Sequence, residues 1–119
     1  MLVVNRFQVE PDDVDAFSTD ATAALRALSA CRGFLRGECG GSLDDPGTWI
    51  LVTRWGTVGD YRRALSSYDV KLYATPLLAR ALPEASAFEI NLAVVDGEIE
   101  TRDSDRASAT DRLRDRPLD

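Results

Sequence analysis

Histidine is absent from the 119 residues of this chain, and cysteine occurs only twice. Without imidazole, the commonest acid–base catalyst and metal or haem ligand is excluded, together with any serine–histidine–aspartate triad. Cys31 and Cys39 lack the spacing of a CxxC motif, and we predict two reduced thiols and no metal site, with a disulfide as the alternative. Cys39 and Leu35 share one face of a predicted strand, so we expect Cys39 to be buried. Any chemistry has to use asparagine, tryptophan, tyrosine, arginine, cysteine or carboxylates.

The chain also lacks an excess of basic charge and long apolar runs. Its formal net charge is −6 and its isoelectric point is about 4.6, which does not fit a nucleic-acid or anionic-membrane binder. No apolar run reaches the roughly 18 residues of a membrane span. Asn5 and Arg6 are polar where a secretory signal would need an apolar stretch. We therefore predict a cytoplasmic protein with no nucleic-acid or membrane partner.

Alternation and helical periodicity divide most of the chain into strand–helix–strand units. In the first strand, Val3, Asn5 and Phe7 share one face. Thr57 followed by Asp60 is typical of a helix start. The predicted strands are 2–9, 34–41, 49–55 and 85–92, and the predicted helices are 14–30, 57–65 and 70–82, with a break at Ser66–Ser67 and an interruption at Pro76.

This order predicts an α+β fold, a ferredoxin-like βαββαβ subunit with a four-stranded antiparallel sheet. The first and third strands should lie side by side in the middle, with both helical regions on one face of the sheet. The helix-free sheet face would carry apolar side chains that are too extensive to remain in water. We therefore predict a homodimer through this face, which makes a dimeric α+β barrel; the side chains concerned are Leu2, Val4, Ile50 and Val52.

From residue 97 onward the composition changes. Charged residues of both signs dominate, and Ile99, Leu113 and Leu118 are the only sizeable apolar residues. Such a segment cannot bury enough apolar surface to offset the entropy of ordering it. We predict one domain over residues 1–96 and a charged C-terminal tail over 97–119 that is disordered or loosely held, with a short helix around 107–114 as the alternative.

Several short segments, taken in order, resemble those of one family. They are Val-Val-Asn-Arg-Phe at 3–7, Arg-Gly-Phe at 32–34, Asp-Asp-Pro-Gly at 44–47, and Val-Thr-Arg-Trp at 52–55 before a helix with Tyr61. Over residues 1–93 the chain resembles the antibiotic biosynthesis monooxygenase (ABM) family of dimeric α+β barrel proteins. The resemblance implies a dimer formed through the sheets and a small-molecule pocket between sheet and helices. Characterised members oxidise aromatic polyketide precursors with no metal or flavin, or bind and degrade haem. For the first type no cofactor is expected.

Asn5 is the strongest candidate for a functional residue. It places an amide among Val3, Phe7 and Val9, where an apolar side chain is expected, and a buried amide without partners costs about 1–3 kcal/mol. The functional interpretation is a pocket donor that holds a substrate oxygen or a metal-bound dioxygen, and the resemblance favours it, because the ABM family has an asparagine at this strand position in both its quinone-forming and its haem-degrading members. A structural asparagine bonded to neighbouring backbone groups remains the alternative.

Trp55 and the tyrosines are the other candidates. A large aromatic at a strand end usually anchors a helix on the sheet, which is one interpretation of Trp55. The polyketide-oxidising members use a tryptophan and a tyrosine near the pocket, so the resemblance makes Trp55, with Tyr61 or Tyr73, a catalytic candidate. Tyr68 and Tyr73 follow the serine break in a segment predicted to line the pocket mouth, and a phenol is a proton donor.

The haem-degrading members offer a comparison. Their pocket tryptophan and axial histidine correspond to positions at or near Ala64 and Ala74 of this chain, and neither residue type is present there. Tyr73 is adjacent, and tyrosine can ligate haem iron. We predict a cofactor-independent monooxygenase that acts on a small aromatic substrate, such as an anthrone or quinol. The alternatives are a non-catalytic dimer that binds a small ligand and a haem-binding or haem-degrading protein with a non-histidine site.

Overall fold

The structure is a computed structural model that describes residues 1–102 of the chain. Two compact units are present, one formed by Met1–Phe88 and the other beginning at Glu89. Among the described residues, no helix has both the length and the apolar character that a membrane crossing requires.

The first unit confirms the predicted ferredoxin-like order. Its four-stranded antiparallel sheet has the order β2-β3-β1-β4, so the first and third strands lie in the middle as predicted. The strands are β1 (Leu2–Gln8), β2 (Phe34–Gly41), β3 (Thr48–Trp55) and β4 (Ala87–Phe88), and the helices are α1 (Val14–Ser29), α2 (Val58–Ala64), α3 (Tyr68–Tyr73) and α4 (Thr75–Leu78), with a 3-10 turn at Pro11–Asp13 before α1.

The pairing of β1 with β3 decides which side chains share a face of the sheet. Val3 lies opposite Thr53, and Phe7 lies opposite Trp49. This face, called the helix face below, is covered by the helices, and the Phe7 ring lies 5.2 Å from the Phe17 ring of α1. The largest fully buried side chains of the unit are Val3, Phe7, Phe17, Leu51, Trp55 and Val70. We call the opposite, helix-free side the outer face; it carries Leu2, Val4, Ile50 and Val52.

Local capping explains where the second helical region begins and breaks. The Thr57 Oγ1 atom accepts a hydrogen bond of 3.0 Å from the Asp60 backbone N–H, which confirms the predicted start of α2. The predicted serine break is also confirmed, because α2 ends at Ala64 and α3 begins at Tyr68. The predicted interruption near Pro76 is present: α3 ends at Tyr73 and α4 begins at Thr75, with Pro76 in the first turn of α4, where its missing N–H is not needed.

The expected burial of Cys39 is wrong. A β-bulge between Phe34 and Arg36 shifts the register of β2, so Leu35 and Cys39 no longer share a face of the strand. Leu35 is 67% exposed. Cys39 lies opposite Leu51 on the helix face, yet it is also exposed because β2 is an edge strand that the helices do not fully cover. Both cysteines are free thiols, as predicted.

The final strand is much shorter than the predicted 85–92. Leu82 N–H donates to Arg6 O and Val4 N–H donates to Ser86 O, so residues 82–86 run beside β1 without forming a regular ladder. Pro83 has no N–H to contribute to one. Regular pairing is limited to the two residues of β4.

The second unit contains a β-hairpin that the sequence analysis did not predict. Strand β5 (Leu92–Val95) pairs antiparallel with β6 (Glu98–Thr101). Asp96 and Gly97 both have positive φ, 51° and 80°, as a type I′ hairpin turn requires. Residues 98–101 therefore form a strand, which corrects the start of the predicted loose tail. The remainder, 103–119, and the alternative helix at 107–114 lie outside the described residues.

Gly33 is the position where the fold most needs glycine. Its φ is +86°, and its carbonyl accepts a 2.8 Å hydrogen bond from Gly56 N–H that ties the start of β2 to the end of β3. An added Cβ would also collide with the Asp60 side chain. We expect Gly33→Ala to lower the free energy of unfolding by about 1–3 kcal/mol, measured by urea denaturation.

Gly40→Ala is the matched control. A Cβ at Gly40 would meet no heavy atom within 4 Å, so the free energy of unfolding should change by less than about 0.5 kcal/mol. Equal losses in the two variants would contradict the role given to the backbone at Gly33.

Candidate functional site

Asn5 occupies the middle of the helix face. It lies opposite Leu51 of β3, and Cys39 of β2 lies on the other side of Leu51, so the three residues form one row across the sheet. Its neighbours along β1 are almost completely buried, Val3 with 1% and Phe7 with 2% exposure, whereas Asn5 is half-buried. Within residues 1–102 the Asn5 side chain makes no hydrogen bond. The amide is thus accessible and has unused donors and an unused acceptor.

A cluster of three aromatic rings lies at another place on the helix face. The Trp55 ring is 5.3 Å from Phe34 in an edge-to-face arrangement and 5.6 Å from Tyr61. Trp55 is 1% exposed, and its indole N–H donates a 2.9 Å hydrogen bond to Thr53 Oγ1. The indole donor is therefore already used within the protein, and the ring is packed inside the core, so Trp55 is a framework residue in this structure.

Tyr61 is the member of this cluster that is suited to proton chemistry. It lies on α2, half-buried, and its burial raises the pKa of the phenol above the ordinary value of 10.0. The phenol is therefore fully protonated at neutral pH and able to donate a hydrogen bond.

The structure does not bring Asn5 and Trp55 into one site. The backbone N–H of Trp55 donates a hydrogen bond to the backbone carbonyl of Met1. Trp55 is therefore level with Met1, which is four residues before Asn5. Four residues correspond to about 13 Å along a strand. Val3 and Thr53 lie on the helix face between these two positions, and both are buried, with 1% and 4% exposure.

Tyr73 lies at a third position. It is 52% exposed and lines a cleft of about 310 Å³ between α1 and α3, together with Asp69 and Arg26. Ala23 and Ala27 of α1 and Ala30 directly after it complete this lining, and neither Asn5, Trp55 nor Tyr61 belongs to it. Tyr68 is 76% exposed. The four predicted site residues are thus divided among three places, and only Trp55 and Tyr61 are in contact.

Trp49 is a residue whose polar atom the sequence analysis missed. Its indole N–H is buried and has no hydrogen-bond partner among the described residues. The ring packs 5.8 Å from the Phe17 ring and close to the Gly41 backbone. Gly41 lies opposite Trp49, and a glycine opposite a large aromatic residue indicates this close packing. Nothing in the sequence indicated that the indole donor is unpaired.

The positions that correspond to the haem ligands are both buried alanines. Ala64 is 3% and Ala74 is 0% exposed, and an alanine side chain has no atom that could bind iron. Within residues 1–102, no group of three or more histidine, cysteine or carboxylate side chains is placed to hold a metal ion. No contact in the described part of the chain favours the haem alternative.

The sequence profile described as "Antibiotic biosynthesis monooxygenase" matches residues 1–75, more than half of the chain. The chain belongs to this family. No curated protein matches it.

Solved structures share the fold of this ABM family member. A conserved protein from Methanosarcina mazei Go1 has a TM-score of 0.59 at 21% identity, over 72% of this chain and 84% of that one. SnoaB, a cofactor-independent oxygenase from Streptomyces nogalater, has a TM-score of 0.58 at 23% identity, over 68% of this chain and 82% of that one. At these identities the likeness shows a common fold, which confirms the predicted ferredoxin-like architecture of the subunit.

The Trp55–Thr53 hydrogen bond should contribute measurably to the stability of this ABM fold. Thr53→Val keeps the shape of the side chain but leaves the buried indole N–H without an acceptor. We expect the free energy of unfolding to fall by about 1–3 kcal/mol in chemical denaturation.

A double-mutant cycle provides the control. In a Trp55→Phe background there is no indole N–H, so Thr53→Val should cost at least about 1 kcal/mol less than in the wild type. The same loss in both backgrounds would show that the hydrogen bond does not carry the effect.

Proposed function

We propose that this ABM family member is a cofactor-independent monooxygenase that oxidises a small, electron-rich aromatic substrate. Family membership supports the reaction class, and SnoaB, described as a cofactor-independent oxygenase, has the same fold. The single structural observation that carries the proposal is Asn5, a half-buried amide with no side-chain hydrogen bond within residues 1–102. An accessible donor set in an otherwise apolar face is a typical feature of a small-ligand site.

The substrate supplies the electrons for this reaction. An anthrone or quinol loses a proton to give a carbanion or phenolate, and this anion reduces dioxygen. In an anthrone, the reacting CH₂ becomes a carbonyl, one oxygen atom enters the product and the other leaves as water, so atoms and electrons balance with no further reductant. The protein has to bind the substrate, stabilise its anion and exclude bulk water.

Asn5 and Tyr61 have the properties that these tasks need. The Asn5 amide N–H would donate to the substrate oxygen on which negative charge develops, and removal of such a donor typically lowers kcat about 100-fold. Tyr61, a neutral phenol whose pKa is raised further by burial, would donate a hydrogen bond at the aromatic cluster. Asn5 and Tyr61 lie on separate parts of the helix face. Either the substrate is long enough to reach both groups, or only one of them contacts it. Trp55, which is 1% exposed, would support the Tyr61 ring and would not touch the substrate itself.

The assembly that we propose for this enzyme is a homodimer formed through the outer face. Ile50 is 37% exposed there, and Leu2, Val4 and Val52 are half-buried with no helix above them. Such an apolar sheet face is stable in water only when another layer covers it. A second copy that packs sheet against sheet would give each subunit that layer.

Oxygen consumption tests the catalytic proposal. With an anthrone as substrate, we expect Asn5→Ala to lower kcat about 100-fold, because the substrate anion loses its donor. The rate is measured with an oxygen electrode, and product formation is followed by absorbance.

Asn91→Ala is the matched control, since Asn91 is exposed and lies outside the sheet. Its rate should equal that of the wild type, and circular dichroism should show that both variants are folded. Equal rates for Asn5→Ala and wild type would remove Asn5 from the mechanism. Substrate binding without oxygen uptake by the wild type would support the non-catalytic, ligand-binding alternative instead.

The oligomeric state tests the assembly. Val4 lies on the outer face opposite Val52, so Val4→Lys would place a charge inside the proposed interface with no carboxylate opposite it on β3. We expect the wild type to sediment as a dimer and Val4→Lys to raise the dimer dissociation constant at least about 100-fold, as burial of an unpaired charge implies.

Leu43→Lys is the matched control, because Leu43 is an apolar residue that is 100% exposed in the turn between β2 and β3. This change should leave the dimer intact. A wild type that sediments as a monomer would refute the proposed assembly.

A further inference from the structure

The cleft between α1 and α3 has a floor of small side chains and walls that carry charge. Its volume of about 310 Å³ lies at the lower end of the range typical of small-molecule sites, about 300–1,000 Å³. Neither Asn5 nor Tyr61 lines it, so a ligand bound here would lie outside the site proposed for oxidation. The residues that line the cleft are Ala23, Arg26, Ala27, Ala30, Asp69 and Tyr73.

The three alanines create the open space. Ala23, Ala27 and Ala30 are four and three residues apart, so their side chains lie in one row along α1 and its C-terminal end. At 1.5 Å per residue this row is about 10 Å long. Because each side chain is a single methyl group, the row leaves room that larger side chains would fill. The floor is therefore apolar, and its length suits a ligand of amino-acid size.

Arg26 and Asp69 place opposite charges on the two helices that border this floor. Both side chains are exposed. Within residues 1–102 neither forms an ion pair, and they do not pair with each other although they line the same cleft. No carboxylate lies three or four residues from Arg26, and no cation lies at those spacings from Asp69. Both charges are thus available to a ligand.

Tyr73 gives the cleft an aromatic wall. It follows Asp69 by four residues, so its ring and the Asp69 carboxylate lie on the same side of α3. The Tyr73 side chain is 52% exposed, and its ring stacks on no other aromatic ring in the described part of the chain. A ring exposed beside an apolar floor offers a packing surface to an apolar or aromatic group of a ligand.

We propose that this cleft binds a small zwitterion with an aromatic side chain, of the chemical class of the aromatic amino acids. The Arg26 guanidinium binds the ligand carboxylate, and the Asp69 carboxylate binds its ammonium group. The ligand side chain lies over the alanines and against the Tyr73 ring. A ligand with both charges pairs with both walls at once, whereas a ligand with one charge leaves the other wall unpaired. The arrangement of charges therefore selects the ligand.

Three probes that share a phenyl ring test this selectivity. L-phenylalanine carries both charges, 3-phenylpropionate carries only the carboxylate, and phenethylamine carries only the ammonium group. We expect L-phenylalanine to bind the full-length protein with a dissociation constant of about 1 mM, and each single-charge probe to bind at least about tenfold more weakly. Binding is measured by amide chemical shifts, which should change at residues 23–30 and 69–73. Equal affinity for the three probes would overturn the proposed recognition of both charges.

Two variants each remove one of the two charges. Arg26→Gln should weaken binding of L-phenylalanine at least about tenfold but should not weaken binding of phenethylamine, which has no carboxylate to lose. Asp69→Asn should weaken binding of L-phenylalanine to a similar extent but should not weaken binding of 3-phenylpropionate. This crossed pattern assigns each charge of the ligand to one wall, and a variant that fails to fold would weaken all three probes alike.

Arg62→Gln is the matched control, because Arg62 is exposed on α2 and does not line the cleft. Its affinity for L-phenylalanine should equal that of the wild type, and circular dichroism should show that all three variants are folded. Equal losses in Arg26→Gln and Arg62→Gln would overturn the site, since general attraction to positive charge would then explain binding. An absence of saturable L-phenylalanine binding well above the millimolar range would overturn it as well.

Discussion

The antiparallel pairing of β1 with β3 is the constraint on which the rest of this structure depends. Because side chains alternate along a strand, this register puts Val3, Asn5 and Phe7 on the helix face and Leu2 and Val4 on the outer face. A shift of one residue would exchange the two sets. The apolar side chains of the helix face hold the register, and the position of the Asn5 amide follows from their packing.

The same packing explains how polar groups are distributed in the site. The Trp55 indole N–H donates to Thr53 Oγ1 inside the helix face, at 2.9 Å, so this buried aromatic residue has no donor left for a ligand. Asn5 has no such partner within the described residues and stays half-buried. Whether a polar side chain on this face is bonded within the protein or left open therefore depends on whether a neighbour on the same face can bond it.

Several local features could be predicted from the sequence with their physical cause. The Thr57–Asp60 cap defined the start of α2, because a side-chain oxygen has to satisfy a free N–H at that position. The bulge at Phe34/Arg36 could not be predicted, since one inserted residue is invisible to a pattern of alternation. The hairpin at Asp96–Gly97 was missed although its turn residues are typical, because the high charge of the following segment indicated disorder instead.

The amino-acid sequence by itself determined the order of strands and helices, the face on which Asn5 lies, the apolar outer face and the membership of the ABM family, because each depends on local periodicity or on short segments. Only the tertiary structure decided which candidate residues meet. It brought Trp55 to Tyr61 and placed Asn5 and Tyr73 elsewhere, since those distances depend on sheet register and helix packing between residues far apart in the chain. Contacts between distant residues are set by the whole folded core, which no local pattern encodes.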